Sequence, residues 1–404
     1  MAAMRTVLCG TCCCADTVDD DVYRHFEDTG SSKSAQNGPP AKLDDFEALA
    51  VLGRGSYGKV FQVRHRETGE LYAMKAMRKA EIATRNQARH TLTERALLQA
   101  VRHPFIVRLH FAFQCDNCLY LVLALQSGGE LFFHLRREGA FAEARVRLYA
   151  AEIFLALQAI HTAGFIYRDL KPENVLLDTV GHVRLSDFGL AKEITCAPAT
   201  TFCGTPSYMA PEVLLATGHG VAVDWWSFGT LTYEMLAGCP PFYSRNLHAM
   251  YRAILVGEVH WPVSIRRSAR ALIEGLLTRD PLRRLGASSA RQVQRHPFFR
   301  KLDFRRVLSC GYKPSYAPTL SGASASAHTS DTTNFDVQFT AEDPHQELLG
   351  VQGHTGTGGE AGTCGSHAAA TGLHDGHPSP EVTQDQAELM ADLIASWNEY
   401  RSEG

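Results

Sequence analysis

Runs of strand length dominate the first third of the chain. Residues 60–64 alternate apolar and polar, residues 107–113 do the same, and 46–51, 71–75 and 119–124 are short apolar-rich runs. A period of two marks strands with one buried face. Cys115-Asp116-Asn117-Cys118 reads as the turn between the last two strands. Residues 88–100 depart from this rhythm and predict one amphipathic helix. Gln126-Ser127-Gly128-Gly129-Glu130 interrupts both patterns and predicts a hinge. From Leu131 onward the period is helical, most clearly over 150–161. Only Val175-Leu176-Leu177 and Val183-Arg184-Leu185 return to strand character. Residues 190–209 show little periodicity, Asp224-Trp225-Trp226-Ser227-Phe228-Gly229 opens an apolar helix, and more helices follow to about Phe299. The fold class this predicts is α+β. A small antiparallel β lobe carries one key helix, a large mainly α lobe follows, and the junction between them is the expected place for a ligand.

Composition narrows the setting. At 404 residues there is ample material for two cores. Charged residues are 21% and the net charge is −3, so no basic field favours nucleic acid. No apolar run approaches the ~20 residues of a transmembrane segment, and residues 1–15 make a poor signal peptide. Eleven scattered cysteines form no disulfide frame, which suits a reducing compartment and predicts a cytoplasmic, or also nuclear, protein. Cys9, Cys12, Cys13 and Cys14 are either exposed thiols or a site of reversible acylation giving membrane contact; Ala2 excludes myristoylation. Residues 1–45 end in linker chemistry, Ser31-Ser32-Lys33-Ser34 through Pro39-Pro40, and predict a disordered segment with order beginning near Phe46.

Candidate chemistry concentrates in Tyr167-Arg168-Asp169-Leu170-Lys171-Pro172-Glu173-Asn174 and in Asp187-Phe188-Gly189. Two carboxylates eighteen positions apart, with a lysine and an asparagine between them, suit phosphoryl transfer from a metal-bound nucleotide. Asp169 can orient a hydroxyl and accept its proton, and Lys171 can neutralise charge on the moving group. Asn174 and Asp187 offer hard oxygens to Mg2+ or Mn2+. Upstream, Gly53-Arg54-Gly55-Ser56-Tyr57-Gly58-Lys59-Val60 leads into a strand instead of a helix, so a dinucleotide fold is disfavoured and a phosphate-covering hairpin is predicted. A Walker lysine–serine pair is absent. Lys75 ends the next strand, and Glu94 lies nineteen residues on in the 88–100 helix, where an ion pair would fix the lysine beside the nucleotide phosphates.

With these motifs in order, the sequence resembles the AGC family of serine/threonine protein kinases, over about residues 46–339. Tyr167, Thr201-Phe202-Cys203-Gly204-Thr205-Pro206 and Val223-Asp224-Trp225-Trp226-Ser227 carry that resemblance. Phe61-Gln62-Val63-Arg64, Ser127-Gly128-Gly129-Glu130-Leu131-Phe132 and His296-Pro297-Phe298-Phe299-Arg300 point within it to the ribosomal protein S6 kinase group. The resemblance implies the bilobal kinase fold over 46–299 and an AGC-type tail over 300–353, with ATP and Mg2+ as cofactors. It implies that Leu52, Val60, Ala73 and Leu176 sandwich the adenine beside Leu123, with Ala124 and Gln126 offering backbone groups. Gly53, Gly55, Ser56, Gly58, Lys75 and Glu130 complete the ATP-binding set. Leu98, Leu109, Tyr167 and Phe188 would form an apolar column, and Glu212 would pair with Arg284 in the large lobe. Thr201 resembles an activation-loop phosphosite made by an upstream kinase, with His90, Arg168 and Lys192 to receive the phosphate. Lys171 and Thr205 beside Asp169 fit serine/threonine specificity. Glu130, Glu173 and Glu234 match acids that bind arginines upstream of the target, so protein substrates of the form Arg-x-Arg-x-x-Ser/Thr are expected.

The tail departs from the family. Asn334-Phe335-Asp336-Val337-Gln338-Phe339-Thr340 resembles the segment that crosses the nucleotide cleft, but Leu348-Leu349-Gly350-Val351-Gln352-Gly353 lacks the aromatic anchors and the hydroxyl of the docking motif. Residues 354–382 are expected to be a disordered Gly/His-rich linker. Residues 383–404 place Leu389, Met390, Leu393, Ile394 and Trp397 on one helical face. That helix is open to three readings: an intramolecular dock, a partner-binding helix or a weakly ordered segment. A nucleotide-binding scaffold is the alternative to an active enzyme. A small-molecule phosphotransferase would not need Ala210-Pro211-Glu212 or the 201–205 loop.

Overall fold

The computed structural model describes residues 41–55, 58–85, 87–195, 197–320 and 331–352. Ser56, the four N-terminal cysteines and the 354–404 linker and helix lie outside them. The chain divides into two compact units. One comprises Leu135–Lys171 and Ile194–Ser315 among its described residues; the other draws on Gly38–His134, Pro172–Glu193 and Tyr316–Gly404.

The second unit is built on a five-stranded antiparallel sheet of β1 (Phe46–Gly55), β2 (Gly58–His65), β3 (Leu71–Arg78), β4 (Leu109–Gln114) and β5 (Cys118–Ala124), in the order β1-β2-β3-β5-β4. Alternation divides its residues between two faces. One face buries Phe61, Val63, Tyr72, Met74, Ala76, Tyr120 and Val122 in a single apolar cluster. Val60, Ala73, Lys75, Leu121 and Leu123 point to the other. Helix α1 (Ala88–Ala100) has the bounds its periodicity predicts and buries Leu97, Leu98 and Glu94.

Three differences from the expected elements have physical causes. β1 runs through Gly53 and Gly55, because pairing with Val60 and Gly58 outweighs glycine's weak strand preference. β4 begins at Leu109 instead of Val107. Residues just upstream are taken by another partner: Val107 N–H donates to Leu185 O (2.9 Å) and Leu185 N–H to Phe105 O (2.9 Å). The described residues ahead of Phe46 are ordered too, with a 3-10 turn at Leu43–Asp45, since Ala41 and Leu43 pack on the apolar cluster.

The first unit is mainly helical. Helix α2 (Glu143–Thr162) is buried along nearly all its length, as is α3 (Ala222–Ala237). Such all-round apolar helices belong in a core. Phe154 of α2 stacks on Trp225 of α3 at 5.8 Å. Helix α4 (Arg267–Leu276) is amphipathic and buries Ala269, Leu272, Ile273 and Leu276. The expected ion pair between Glu212 and Arg284 is present and bidentate, at 2.6 and 2.8 Å, with Arg284 fully buried. Its place in the core makes it structural.

Downstream, the tail returns to the sheet unit through helix α5 (Pro344–Gln352). Asp343 starts this helix: its Oδ1 accepts from His345 N–H at 2.9 Å, and Pro344 opens the first turn. Val351 is buried in the sheet's apolar cluster, and Leu348 and Phe339 pack against it. A dock without aromatic anchors was not legible from the sequence. Aliphatic spacing of three residues at Leu348 and Val351 was its only signal.

Candidate active site

In the sheet unit the glycine-rich stretch forms a hairpin, with Gly55 opposite Gly58. A side chain at Gly58 would meet Ala76 O of β3 at 1.8 Å, so only glycine fits there. The register places Val60 opposite Lys75, and Ala73 opposite Leu123. Such cross-strand neighbours share a face, so three of the expected adenine-contacting residues and Lys75 sit together. Leu52 and Gly53 lie on β1. Leu176 is in the short strand Val175–Leu177, bridged to Glu130. Ala124 N–H is used by Arg108 O (2.9 Å), and its carbonyl accepts from Gln126 Nε2 (3.2 Å).

Lys75 is the centre of charge in this unit. Its Nζ donates to Glu94 Oε1 at 2.7 Å and to Asp187 Oδ1 at 3.0 Å. Burial alone would pull the ammonium down, but the Asp187 and Glu94 carboxylates outweigh it and hold Lys75 above its ordinary value. Asp187 sits on left-handed backbone (φ +49°) with its side chain half exposed. Asn174 is buried, and its carbonyl accepts from Ser186 N–H (2.9 Å) and Oγ (3.1 Å). The carboxylate of Asp187 and the amide oxygen of Asn174 are hard donors, the kind a small divalent cation takes. Glu130 is exposed, and the Oε2 of Glu173 is buried without a hydrogen-bond partner among the described residues. His90 is engaged through Nδ1 with Gln87, and Lys192 is partly buried.

In the helical unit Asp169 is buried. Lys171 Nζ donates to its Oδ2 at 3.0 Å, and Thr205 Oγ1 to its Oδ1 at 3.4 Å. Arg168 precedes it on left-handed backbone (φ +67°), an uncommon conformation for a non-glycine residue. A fully buried carboxylate, Asp224, holds that conformation. It accepts from Tyr167 N–H (2.9 Å), Arg168 N–H (2.8 Å) and His161 Nε2 (2.7 Å). In the sequence Asp224 reads as the opening of a helix and as part of a family motif, with no partner assigned to it. The signal was there, an acid inside the apolar run Val223-Asp224-Trp225-Trp226. Thr201 is exposed, and Glu234 is buried on α3.

Asp169, Lys171, Thr201, Thr205, Arg168 and Glu234 therefore belong to the helical unit. The described nucleotide candidates, with Asn174, Asp187, Glu94, Glu173, His90 and Lys192, belong to the sheet unit. Of the apolar column, Leu98, Leu109 and Phe188 are buried in the sheet unit and Tyr167 in the helical one.

A sheet with a glycine hairpin and a lysine held by two acids, together with a lysine-paired aspartate on a strained turn, defines a protein kinase fold. The family profile of the protein kinase domain matches residues 46–299, and the chain belongs to that family. Its relatives are serine/threonine kinases of AGC type. It is 48% identical to protein kinase 2 of Dictyostelium discoideum over 78% of this chain and 65% of that protein. It is 51% identical to the serine/threonine protein kinase ypkA of Aspergillus fumigatus over 76% of this chain and 48% of that one. Serine/threonine-protein kinase Sgk1 of Xenopus tropicalis is 45% identical, over 75% of this chain and 72% of its own. The chain spans about half to two thirds of the length of the first two relatives. These kinships lie on the Ypk and Sgk side of the AGC kinases, and the ribosomal protein S6 kinase group expected from the motifs finds no support in them.

Proposed function

We propose that this chain transfers the terminal phosphoryl of ATP to serine and threonine hydroxyls of proteins. The observation that carries the reading is Lys75 bridging Glu94 and Asp187, because a lysine so held can orient phosphates while Asp187 meets a cation. Mg2+, held by Asn174 and Asp187, would neutralise charge on the phosphates. Asp169 would orient the substrate hydroxyl and take its proton. Lys171 would offset charge on the transferred group, and Thr205 would help fix Asp169. Leu52, Val60, Ala73, Leu123 and Leu176 would enclose the adenine. The Ala124 carbonyl and the Gln126 N–H would meet its edge.

A basic substrate is supported by Glu130, Glu173 and Glu234, above all by the unpartnered buried oxygen of Glu173, which a guanidinium would satisfy. Exposed Thr201 is the proposed activation site, acted on by an upstream kinase, its phosphate received by His90, Arg168 and Lys192. Within the AGC kinases the relatives' names favour a Ypk- or Sgk-like role. Reducing cytoplasm, or nucleus, is the proposed location. A positional peptide library with Ser, Thr or Tyr acceptors, read by mass spectrometry, tests this. The expected product is phosphoserine or phosphothreonine with arginine selected upstream; no transfer, or transfer to tyrosine alone, would overturn the reading.

A further inference from the structure

The tail meets the glycine hairpin through charge. Arg54 and Lys59 stand directly opposite each other across β1 and β2, one step outside the Gly55–Gly58 pair. Like charges in that position repel. Burial and the neighbouring Arg54 both pull the Lys59 ammonium below its ordinary value. Two tail carboxylates answer this. Glu342 accepts from Arg54 Nη2 at 2.6 Å and lies 3.5 Å from Lys59 Nζ, and Glu347 of α5 pairs with the same Nζ. Lys59 and Glu342 are each about four-fifths shielded from solvent, so salt screens their attraction less than on an open surface.

The other end of α5 is pinned independently. Val351 is buried in the apolar cluster, and its carbonyl accepts from Arg78 Nε and Cys118 Sγ, both at 3.2 Å. Burial pushes the Cys118 thiol up to about 11, which keeps it a donor at neutral pH. The tail is thus fixed to the sheet at Val351, and to both hairpin strands by Glu342, just ahead of α5, and Glu347, within it. A glycine-rich hairpin has much backbone freedom to lose, so an external grip at Arg54 and Lys59 has a large effect on the order of its strands.

We infer that Glu342 and Glu347 are positioning residues, a strap that holds the glycine hairpin in its phosphate-covering form by fixed carboxylates. The grip needs no modification of the tail. The inference rests on the kinase reading only for what the hairpin covers.

Hydrogen exchange of the full-length protein tests the strap without reference to activity. In a Glu342→Gln/Glu347→Gln variant, backbone amides of the hairpin should exchange about 3–30-fold faster, the range expected for two partly exposed ion pairs. Amides of β4 and α5 should keep their protection. The KM for ATP should rise by a similar factor, with kcat within about twofold, since no reacting group is touched. The charge swap Lys59→Glu with Glu347→Lys should restore much of the hairpin's protection, and high salt should loosen the wild type toward the variant. Unchanged hairpin exchange in the Gln variant would overturn the strap, and loss of protection throughout α5 would overturn the local grip. Failure of the wild type to bind ATP would refute the kinase reading instead, with the exchange data still deciding the strap.

Discussion

Asp169 follows a residue on left-handed backbone and Asp187 is itself such a residue, yet the two are mounted in opposite ways. Next to Asp169 the strained residue is Arg168, and its N–H is tied to a carboxylate with no solvent exposure, Asp224, which also takes Tyr167 N–H and His161. Asp187 is itself the strained residue, half exposed, and held by Lys75 at 3.0 Å and weakly by Gly189 N–H at 3.4 Å. The first mount is part of a core and cannot be lost without damaging the fold. The second is tied to the lysine that Glu94 also holds.

The sharpest way to break the contrast is Asp224→Ala. Two buried N–H donors would lose their acceptor, so the variant should lose about 2–5 kcal/mol of stability together with its activity, measurable by denaturant unfolding. Glu94→Gln should do the reverse. The charge that steadies Lys75 goes, while a side chain of the same shape stays. Unfolding should change little, and kcat/KM should fall about 10–100-fold. Equal loss of stability in both variants would erase the distinction.

A smaller effect should appear with pH. Burial, with Arg184 adding its charge, pulls His103 from 6.5 down to about 3, and burial with Arg108 pulls His110 to about 4. Below pH 6.5 the unfolded chain therefore binds protons that the folded chain refuses, and stability falls as the solution is acidified. His103→Gln should flatten the decline of the thermal midpoint between pH 7 and 5. A slope unchanged by the substitution would assign the acid sensitivity elsewhere.

Much of this was legible in the sequence. Period-two runs located the strands, and helical spacing gave 88–100 with its bounds. The Lys75–Glu94 pair formed as expected, although β3 runs on to Arg78 and places Lys75 inside the strand instead of at its end, because the ladder with β5 continues to Cys118. What escaped has a common cause. Asp224 acts on backbone N–H groups, so an acid inside an apolar run marks it as unusual without telling which groups it holds. The start of β4 was displaced by pairing of residues 105–107 with Leu185, a contact far along the chain. Val351 docks by burial and a shared carbonyl, whereas sequence reasoning looked for aromatic rings. Glu342 and Glu347 resemble any surface acids until Arg54 and Lys59 are seen opposite them.

The most direct measurement is transfer of the γ-phosphoryl of labelled ATP to an arginine-rich serine peptide, compared among wild type, Asp169→Asn and Asp187→Asn, with ATP affinity measured alongside. Wild type should transfer label. Asp169→Asn should bind ATP normally but turn over about 10²–10⁴-fold more slowly, and Asp187→Asn should lose metal-dependent ATP binding as well as turnover. Label transfer at wild-type rates by either variant would contradict the account.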